Sequence, residues 1–220
     1  MGKIIVTSVG FDVGLVLRSV LKVSVGPGDT LFIVYSLTGD EFSRKRVSEA
    51  VSTIKELLRG SGIDVVDCEV TGVDFYEDVL RVLRDLEKYS NVDIIASLVG
   101  GMRMTLFAIV FALELMCRMR GGRATLYLMR EDGLYDVMIK LPLVPMLGTS
   151  ERKVLKLIKE LNLVELRRGV VVGKLSSALG VSEAAVRKIL KSLEKKGVIS
   201  VSNGLIRLEK LGEILCELIG

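Results

Sequence analysis

The chain has 220 residues, half of them hydrophobic, so it can form one large domain or two smaller ones around a substantial core. It contains no histidine, and its three cysteines form no CxxC pair, which excludes histidine-dependent catalysis and argues against a zinc site. The net charge of +4 is uneven: residues 1–149 hold 17 Lys and Arg against 19 Asp and Glu, whereas residues 150–220 hold 14 against 8.

The chain starts MGKIIVTSVG, where a short apolar run is typical of a strand and not of a signal peptide. The most apolar window, LVGGMRMTLFAIVFALELMC, carries Arg103 and Glu114, and such charges argue against a membrane span. We therefore expect a cytoplasmic protein with no membrane partner, no metal and no resident cofactor.

Residues 1–141 alternate short β-rich runs with helix-length segments. The strand-like runs are KIIVTSV, TLFIVYS, IDVVDCEV, VDIIASLV and ATLYLM. This alternation predicts an α/β fold with a Rossmann-like, mostly parallel sheet. A doubly wound sheet of this kind has the strand order 3-2-1-4-5. Apolar residues between Val47 and Leu58 recur with the period of a helix, and Asp74 with Glu77 predicts a capping box at the start of the next one.

The end of this domain is marked by a turn signal and by prolines. Asp132 and Gly133 predict a tight turn into a last antiparallel strand at about residues 136–141, which gives a terminal hairpin. Pro142 and Pro145 follow where the alternation stops. We therefore predict a linker at residues 142–149 and a separate domain at residues 150–220.

The second domain has the pattern of a winged helix-turn-helix. Three predicted helices, SERKVLKLIKELN, VGKLSSALG and VSEAAVRKILKSLEKKG, precede two strands around a Ser-Asn-Gly turn. Gly180 would form the turn between the paired helices, and Ser182 would cap the second one. The predicted buried stripe of that helix is Val186, Ile189, Leu190 and Leu193.

The opposite face of that helix is basic, which predicts binding to double-stranded DNA. The residues expected at DNA are Lys174, Ser182, Arg187, Lys188, Lys191, Lys195, Asn203 and Arg207. A solvated basic face, RNA binding and a role in protein association remain as alternatives. Residues 150–220 resemble archaeal and bacterial winged-helix regulators, and such folds also serve as dimerisation modules.

The segment MTLFAIVFALELM is apolar nearly all round, which is unusual for a helix with one solvent face. We expect it to be buried against the sheet and in the interface of a homodimer.

Two loops are expected at the switch point of the sheet, where ligands bind in doubly wound folds. The first strand runs into SVGFD, residues 8–12, and the fourth into VGGMR, residues 99–103. Backbone amides at a helix start, together with Arg103, could hold an anion. Alternatively, the glycines serve packing alone and the arginine extends to solvent. Neither GxGxxG nor a P-loop motif is present.

These motifs resemble the CRISPR-associated Rossmann-fold (CARF) regulators of archaea: GFD after the first strand, GGMR after the fourth, a terminal hairpin and a winged helix behind it. The resemblance implies a homodimer that binds a cyclic oligoadenylate, typically cyclic tetra-adenylate, across its two-fold axis. It carries ligand binding over to Ser8, Gly10, Phe11, Asp12, Gly100, Gly101, Met102 and Arg103. Ser36 and Thr38, after the second strand, are added by position.

The leading hypothesis is a ligand-gated transcription regulator of a CRISPR system. The family's histidine-dependent ribonuclease partner domain does not fit a chain without histidine. One rival is a metal-independent ring nuclease that cleaves cyclic oligoadenylate, with Ser8 and Arg103 positioning the 2′-hydroxyl and the winged helix used for dimerisation. Another is a sensor of a different anionic nucleotide.

Overall fold

The structure is a computed structural model that describes residues 2–89, 91–130 and 134–219. Contacts divide the chain into two units, of which the first ends at Leu143 and the second begins at Val144. This division falls inside the segment predicted as a linker.

The first unit alternates strands and helices. Its strands are β1 (Ile4–Ser8), β2 (Thr30–Ser36), β3 (Asp64–Val70), β4 (Asp93–Ser97), β5 (Arg123–Met129) and β6 (Asp136–Lys140). Its helices are α1 (Val13–Lys22), α2 (Glu41–Leu57), α3 (Phe75–Leu86), followed by a 3-10 turn at Glu87–Tyr89, and α4 (Arg103–Arg120).

The six strands form one sheet in the order β3-β2-β1-β4-β5-β6. The first five are parallel and β6 runs antiparallel to β5. The predicted Rossmann-like, mostly parallel sheet with a terminal antiparallel strand is therefore confirmed. The predicted turn at Asp132 and Gly133 lies outside the described residues.

The central strands are buried on both faces, as a parallel sheet between two helical layers requires. In β1, Ile4 and Val6 belong to a core with residues of α3 and α4, whereas Ile5 belongs to a core with residues of α1 and α2. This packing places the carboxyl ends of β1 and β4 side by side between the helical layers.

Helix α4 is buried on one face only within the chain. Ala108, Ile109, Ala112 and Leu113 are inaccessible to solvent, while Phe107 on the outer face is 67% exposed. The sequence pattern, apolar nearly all round, does not by itself show which face meets the sheet.

The second unit consists of four helices and a two-stranded antiparallel sheet. Its elements are α5 (Thr149–Glu160), α6 (Arg168–Leu179), α7 (Glu183–Lys195), β7 (Ile199–Ser202), β8 (Leu205–Leu208) and α8 (Lys210–Ile219). The prediction that the middle helix begins at Val172 was wrong, because α6 begins at Arg168. The valine run there favours a strand locally, but burial of Val171 together with Leu175, one turn later, stabilises the helix.

A charged pair joins the start of α5 to the end of α7. Lys196 Nζ donates to the Glu151 carboxylate at 2.6 Å and to the Met146 carbonyl at 2.9 Å. Ser192 Oγ and the Gly148 amide donate to the same carboxylate, each at 2.7 Å. Burial raises the pKa of Glu151, but the hydrogen bonds from Lys196, Ser192 and Gly148 outweigh it and lower that pKa overall.

Within the described ranges, no single helix is long and apolar enough to cross a membrane; the bent pair of α6 and α7 reaches that composition only when the two are taken together.

Candidate functional site

The loops that follow β1 and β4 are held against each other at the centre of the sheet. The Ser8 hydroxyl donates to the Gly100 carbonyl. A Cβ on Gly10 would lie 2.8 Å from the Gly101 nitrogen, which is closer than side-chain carbons approach backbone atoms. Gly101 also has a φ of +92°, in the region that favours glycine. Close packing of the two backbones therefore requires glycine at Gly10 and Gly101.

A cavity of about 180 Å³ opens beside these two loops. It is lined by Val9, Gly10, Phe11, Ser36, Thr38, Ser43, Val47, Gly101 and Met102. Six of the residues predicted to bind ligand are thus brought together around one space. The other three were not predicted: Val9 comes from the β1 loop, and Ser43 and Val47 come from α2.

One wall of the cavity is a chain of hydroxyl groups. Ser36 Oγ and Thr38 Oγ1 are 2.9 Å apart, and the Ser36 hydroxyl can donate to the Thr71 carbonyl at 3.1 Å. Thr38 Oγ1 in turn lies 3.0 Å from the Met102 sulfur. The loops after β2, β3 and β4 are therefore linked across the carboxyl edge of the sheet.

The loop after β3 is ordered by a buried carboxylate that sequence reasoning missed. Asp78 is inaccessible to solvent and accepts hydrogen bonds from the Thr71 amide at 2.6 Å, the Thr71 hydroxyl at 2.8 Å and the Gly72 amide at 2.9 Å. Gly72, with a φ of +71°, packs so tightly that an added Cβ would lie 2.9 Å from the Ser36 Cβ. Asp78 thus positions the loop that supports the hydroxyl wall.

A signal for Asp78 was present in the sequence. It shares one helical stripe with Val82 and Leu86, and both of these are buried. A carboxylate on an apolar stripe requires hydrogen-bond partners, and the loop just before the helix is where they are nearest.

The other four predicted ligand residues do not line the cavity. Ser8 is fully buried and its hydroxyl is committed to Gly100. Asp12 caps α1 by accepting a hydrogen bond from the Leu15 amide at 2.8 Å. Gly100 could carry a Cβ without a clash, since the nearest atoms to an added Cβ are 3.9 Å away, at an ordinary contact distance.

Arg103 is exposed at the first position of α4, directly after Met102 of the cavity wall. Within the described part of the chain, its guanidinium makes no hydrogen bond or ion pair. Both features leave its donors available to a ligand that extends beyond the cavity.

An apolar surface lies on the outer faces of α3 and α4, and we call it the α3–α4 surface. It comprises Tyr76, Leu80, Phe107 and Phe111, which are all exposed. The ring of Phe111 lies 5.6 Å from that of Phe75, which in turn lies 5.4 Å from that of Tyr76, so aromatic side chains of the two helices are in contact. This is the outer side of the helix that was predicted to form a dimer interface.

In the second unit, α6 and α7 meet at 114° around Gly180, whose φ of +65° is left-handed. The angle lies within the roughly 90–120° of helix-turn-helix motifs. Ser182 caps α7 by accepting a hydrogen bond from the Ala185 amide at 3.3 Å. Helix α7 buries Val186, Leu190 and Leu193, and it exposes Lys188, Lys191 and Lys195 as predicted.

Two other residues that were predicted to bind DNA, Arg187 and Arg207, lie beside acidic side chains. Arg187 donates to the Glu183 carboxylate at 2.9 Å, and Arg207 of β8 lies 3.8 Å from Glu165. Both pairs are exposed, so water can replace either partner at little cost. Asn203, with a φ of +52°, forms the tight turn between β7 and β8 together with Gly204. Lys174 lies on α6.

Comparison of the sequence with models of known protein families gives a match within the first unit. The sequence model described as the Csa3 CRISPR-associated Rossmann-like domain matches residues 3–142, more than half of the chain. The chain belongs to this family. The match covers every strand of the large sheet and both loops of the site, so the Csa3-family domain and the first structural unit coincide.

The solved structures to which this Csa3-family chain is similar share little sequence identity with it. Can2 from Sulfobacillus thermosulfidooxidans, in complex with cyclic tetra-adenylate, has 11% identity and a TM-score of 0.42 over 99% of this chain and 64% of its own. Csm6 from Enterococcus italicus, bound to cyclic hexa-2′-fluoro-hexa-dAMP, has 14% identity and a TM-score of 0.42 over 88% of this chain. The chain spans 53% of the length of that Csm6.

RuvB from Thermotoga maritima is also similar, with 12% identity and a TM-score of 0.28 over 99% of this chain and 87% of its own. No curated protein matches the chain by sequence.

Proposed function

We propose that the first unit binds a cyclic oligoadenylate, and specifically cyclic tetra-adenylate. The observation that carries the proposal is the cavity beside the adjoining β1 and β4 loops of a Csa3-family domain. Hydroxyls of Ser36, Thr38 and Ser43 can bond the edges of a base or ribose, and Phe11 and Met102 offer apolar contact to its faces. Arg103 stands beyond Met102 as a cation for phosphate.

The proposed ligand is shared between two copies of the chain. A volume of about 180 Å³ is below the roughly 300–1,000 Å³ of sites that enclose drug-sized ligands. One cavity therefore suits a single nucleotide of a ring. The α3–α4 surface supplies an apolar face for a homodimer, because Tyr76 and Phe111 are joined through Phe75 into a continuous apolar patch, and such patches mark association surfaces.

The second unit, in this proposal, is a winged helix-turn-helix that binds double-stranded DNA. Its support is the 114° angle between α6 and α7, the Asn203 turn as the tip of a wing, and the basic exposed face of α7. Residues 150–220 also hold the positive charge of the chain, with 14 Lys and Arg against 8 Asp and Glu. The whole chain would then be a ligand-gated transcription regulator of a CRISPR system.

Ring cleavage is the rival activity. The hydroxyl of Ser8, one of the two groups that it would use, is buried and donates to the Gly100 carbonyl. That contact supports binding over cleavage at this site.

The first test is thermal unfolding of the chain with cyclic tetra-adenylate, cyclic hexa-adenylate and a set of linear and cyclic dinucleotides, because a ligand that binds only the folded state raises the melting temperature. Cyclic tetra-adenylate should give the largest rise. A rise with another nucleotide alone would make the chain a sensor of that nucleotide.

The same preparations are assayed for cleavage of labelled ring and for retardation of DNA duplexes. Rapid cleavage without DNA binding would establish the ring nuclease instead. Light scattering after gel filtration measures the mass, and a monomer at micromolar concentration would contradict the shared site.

A further inference from the structure

The mouth of the cavity carries a cation that the sequence motifs do not indicate. The guanidinium carbon of Arg46 lies 4.6 Å from the centroid of the Phe11 ring and 5.6 Å from that of the Phe42 ring. Phe11 is a wall residue of the cavity. On α2, Arg46 stands next to Val47 and one turn after Ser43, which also line the cavity. The cation is thus held at the edge of the ligand site.

The two rings position this guanidinium without using its hydrogen bonds. An aromatic ring attracts the flat face of a guanidinium, while the five N–H groups of Arg lie in the guanidinium plane. Within the described residues, Arg46 makes no hydrogen bond or ion pair, so these donors face no protein acceptor. Because both rings already hold the guanidinium, Arg46 has less rotamer freedom to lose when a ligand binds.

The arrangement differs from the other cation and ring contacts of the described chain. Lys88 lies over Tyr89 and Arg130 over Tyr135, each over a single ring of a residue close in sequence. Arg46 contacts two rings, and one of them comes from the β1 loop, 35 positions earlier in the chain. Phe42 remains 68% exposed, so it contributes little to the core.

We propose that Arg46 binds a phosphate group of the nucleotide that occupies the cavity, with Phe11 and Phe42 as its positioning residues. The inference rests on the proposed function, since it takes a cyclic oligoadenylate as the ligand. A planar, fixed guanidinium matches two phosphate oxygens through parallel hydrogen bonds. Arg46 from α2 and Arg103 from the start of α4 would contact different phosphates of one ring.

The test measures the affinity of the full chain for cyclic tetra-adenylate by calorimetry. Arg46→Ala should raise the dissociation constant by about 10- to 150-fold, the usual loss for a hydrogen bond that involves a charged group. Phe42→Ala, which keeps the charge and removes one ring, should raise it by about 2- to 5-fold. Arg44→Ala is the matched control, because Arg44 is exposed on the same helix without a contact to either ring, and its effect should stay within about twofold.

Two conservative variants separate phosphate binding from base stacking. Arg46→Lys keeps the charge but loses the planar fork, whereas Arg46→Gln keeps a planar amide without charge. Contact with phosphate requires that the lysine variant bind more tightly than the glutamine variant. The reverse order would overturn the assignment to phosphate. Without ligand, all variants should melt within about 4 °C of the wild type, because Arg46 and Phe42 are exposed and lie outside the core.

Failure of the inference is distinct from failure of the proposed function. If the wild type binds cyclic tetra-adenylate and Arg46→Ala binds it equally well, Arg46 has no role at the site while the proposed function stands. If the wild type binds neither cyclic tetra-adenylate nor cyclic hexa-adenylate, both are overturned.

Discussion

The backbone of Gly10 lies against that of Gly101, so closely that a Cβ on Gly10 would come within 2.8 Å of the Gly101 nitrogen and 3.0 Å of its Cα. The loops that would bind ligand are therefore also a packing contact between β1 and β4. Neighbouring glycines differ in the space around them, so the contribution of this contact can be measured by comparing substitutions at Gly10 and Gly100.

Gly10→Ala should lower the stability of the first unit by about 1–3 kcal/mol, the usual cost of overpacking, and weaken cyclic tetra-adenylate binding as the loops separate. Urea unfolding and calorimetry measure the two effects. The matched control is Gly100→Ala, where the nearest atoms are 3.9 Å away and φ is not positive, and which should leave stability nearly unchanged. Equal stability of the two variants would contradict the close approach.

Asp78→Asn should destabilise the first unit by about 1–3 kcal/mol, because the amide cannot accept all three hydrogen bonds that the carboxylate receives from Thr71 and Gly72. Hydrogen exchange of the Thr71 and Gly72 amides should also become faster. Asp85→Asn is the control on the same helix, since Asp85 forms a partly exposed pair with Arg81 at 3.2 Å that is worth about 0–1 kcal/mol. Unchanged exchange at Gly72 would remove the positioning role of Asp78.

Much of the fold was predictable, because strand alternation and helical periodicity are local signals. The parallel sheet, α2 and the Asp74 cap of α3 followed from them, whereas the strand order followed from the doubly wound topology; the structure has the Asp74 carboxylate accepting from the Glu77 amide at 3.1 Å. The start of α6 was not predictable in this way, since burial of Val171 against other helices decides it.

The composition of the site was predictable in part. Glycines and polar residues at strand exits marked two loops, but the sequence could not show that Gly101 packs tightly while Gly100 does not. Arg46 was missed because its two aromatic contacts come from a helix and a distant loop. Phe42 and Arg46 have the i, i+4 spacing of neighbours on a helix, but the contact with Phe11 comes from a distant loop and leaves no pattern of spacing along the chain.

Arg103→Ala should weaken cyclic tetra-adenylate binding by about 1.5–3 kcal/mol without a change in the unfolding free energy, since Arg103 is exposed and unpaired among the described residues. Because coupling between sites is reciprocal, the variant should also lose the effect of ligand on DNA affinity while it keeps basal DNA binding.

Titration of ligand with and without a DNA duplex measures both quantities for Arg103→Ala. Arg84→Ala, an exposed arginine on α3, serves as the control. An unchanged ligand affinity in Arg103→Ala would exclude Arg103 from the site.

Acid should destabilise the second unit through Glu151. Its pKa is lowered in the folded state, so the ionised carboxylate stabilises the fold fully above the ordinary carboxyl pKa of about 4.5. That contribution is lost as the pH falls below this value and through the lowered folded pKa. Urea unfolding between pH 3 and pH 7 measures how steeply the free energy of unfolding changes with pH.

Glu151→Gln should remove this part of the pH dependence and cost about 1–3 kcal/mol at pH 7, because Lys196 would lose its charged partner. Glu160→Gln, at an exposed pair with Lys156 3.8 Å away, should leave the slope unchanged. Identical slopes in wild type and Glu151→Gln would show that other carboxylates control acid unfolding.

For DNA, Arg187→Ala should cost about 1–3 kcal/mol and relax sequence preference, whereas Lys191→Ala should weaken binding to all sequences about equally. Duplexes selected from a random pool supply the probe.

The ion pair between Arg187 and Glu183 leads to a prediction of opposite sign. Glu183→Gln frees Arg187 and removes a negative charge from α7, so the affinity for DNA should rise by about 2- to 5-fold. A fall in affinity would mean that Glu183 orients Arg187 for its contact.

The antiparallel direction of β6 brings the chain back along the sheet, since Lys140 pairs with Thr125 near the start of β5 and the Leu141 amide bonds to Ala124. The chain therefore leaves the first unit at the end of the sheet opposite the cavity. Helix α4 spans this distance: it starts beside Met102 of the cavity wall, and about 16 Å further along its axis Glu114 accepts a hydrogen bond from the Leu143 amide at 2.8 Å. A single helix therefore contacts the cavity loop at its start and the chain that leaves the first unit near its end, so it provides a direct structural connection between the two.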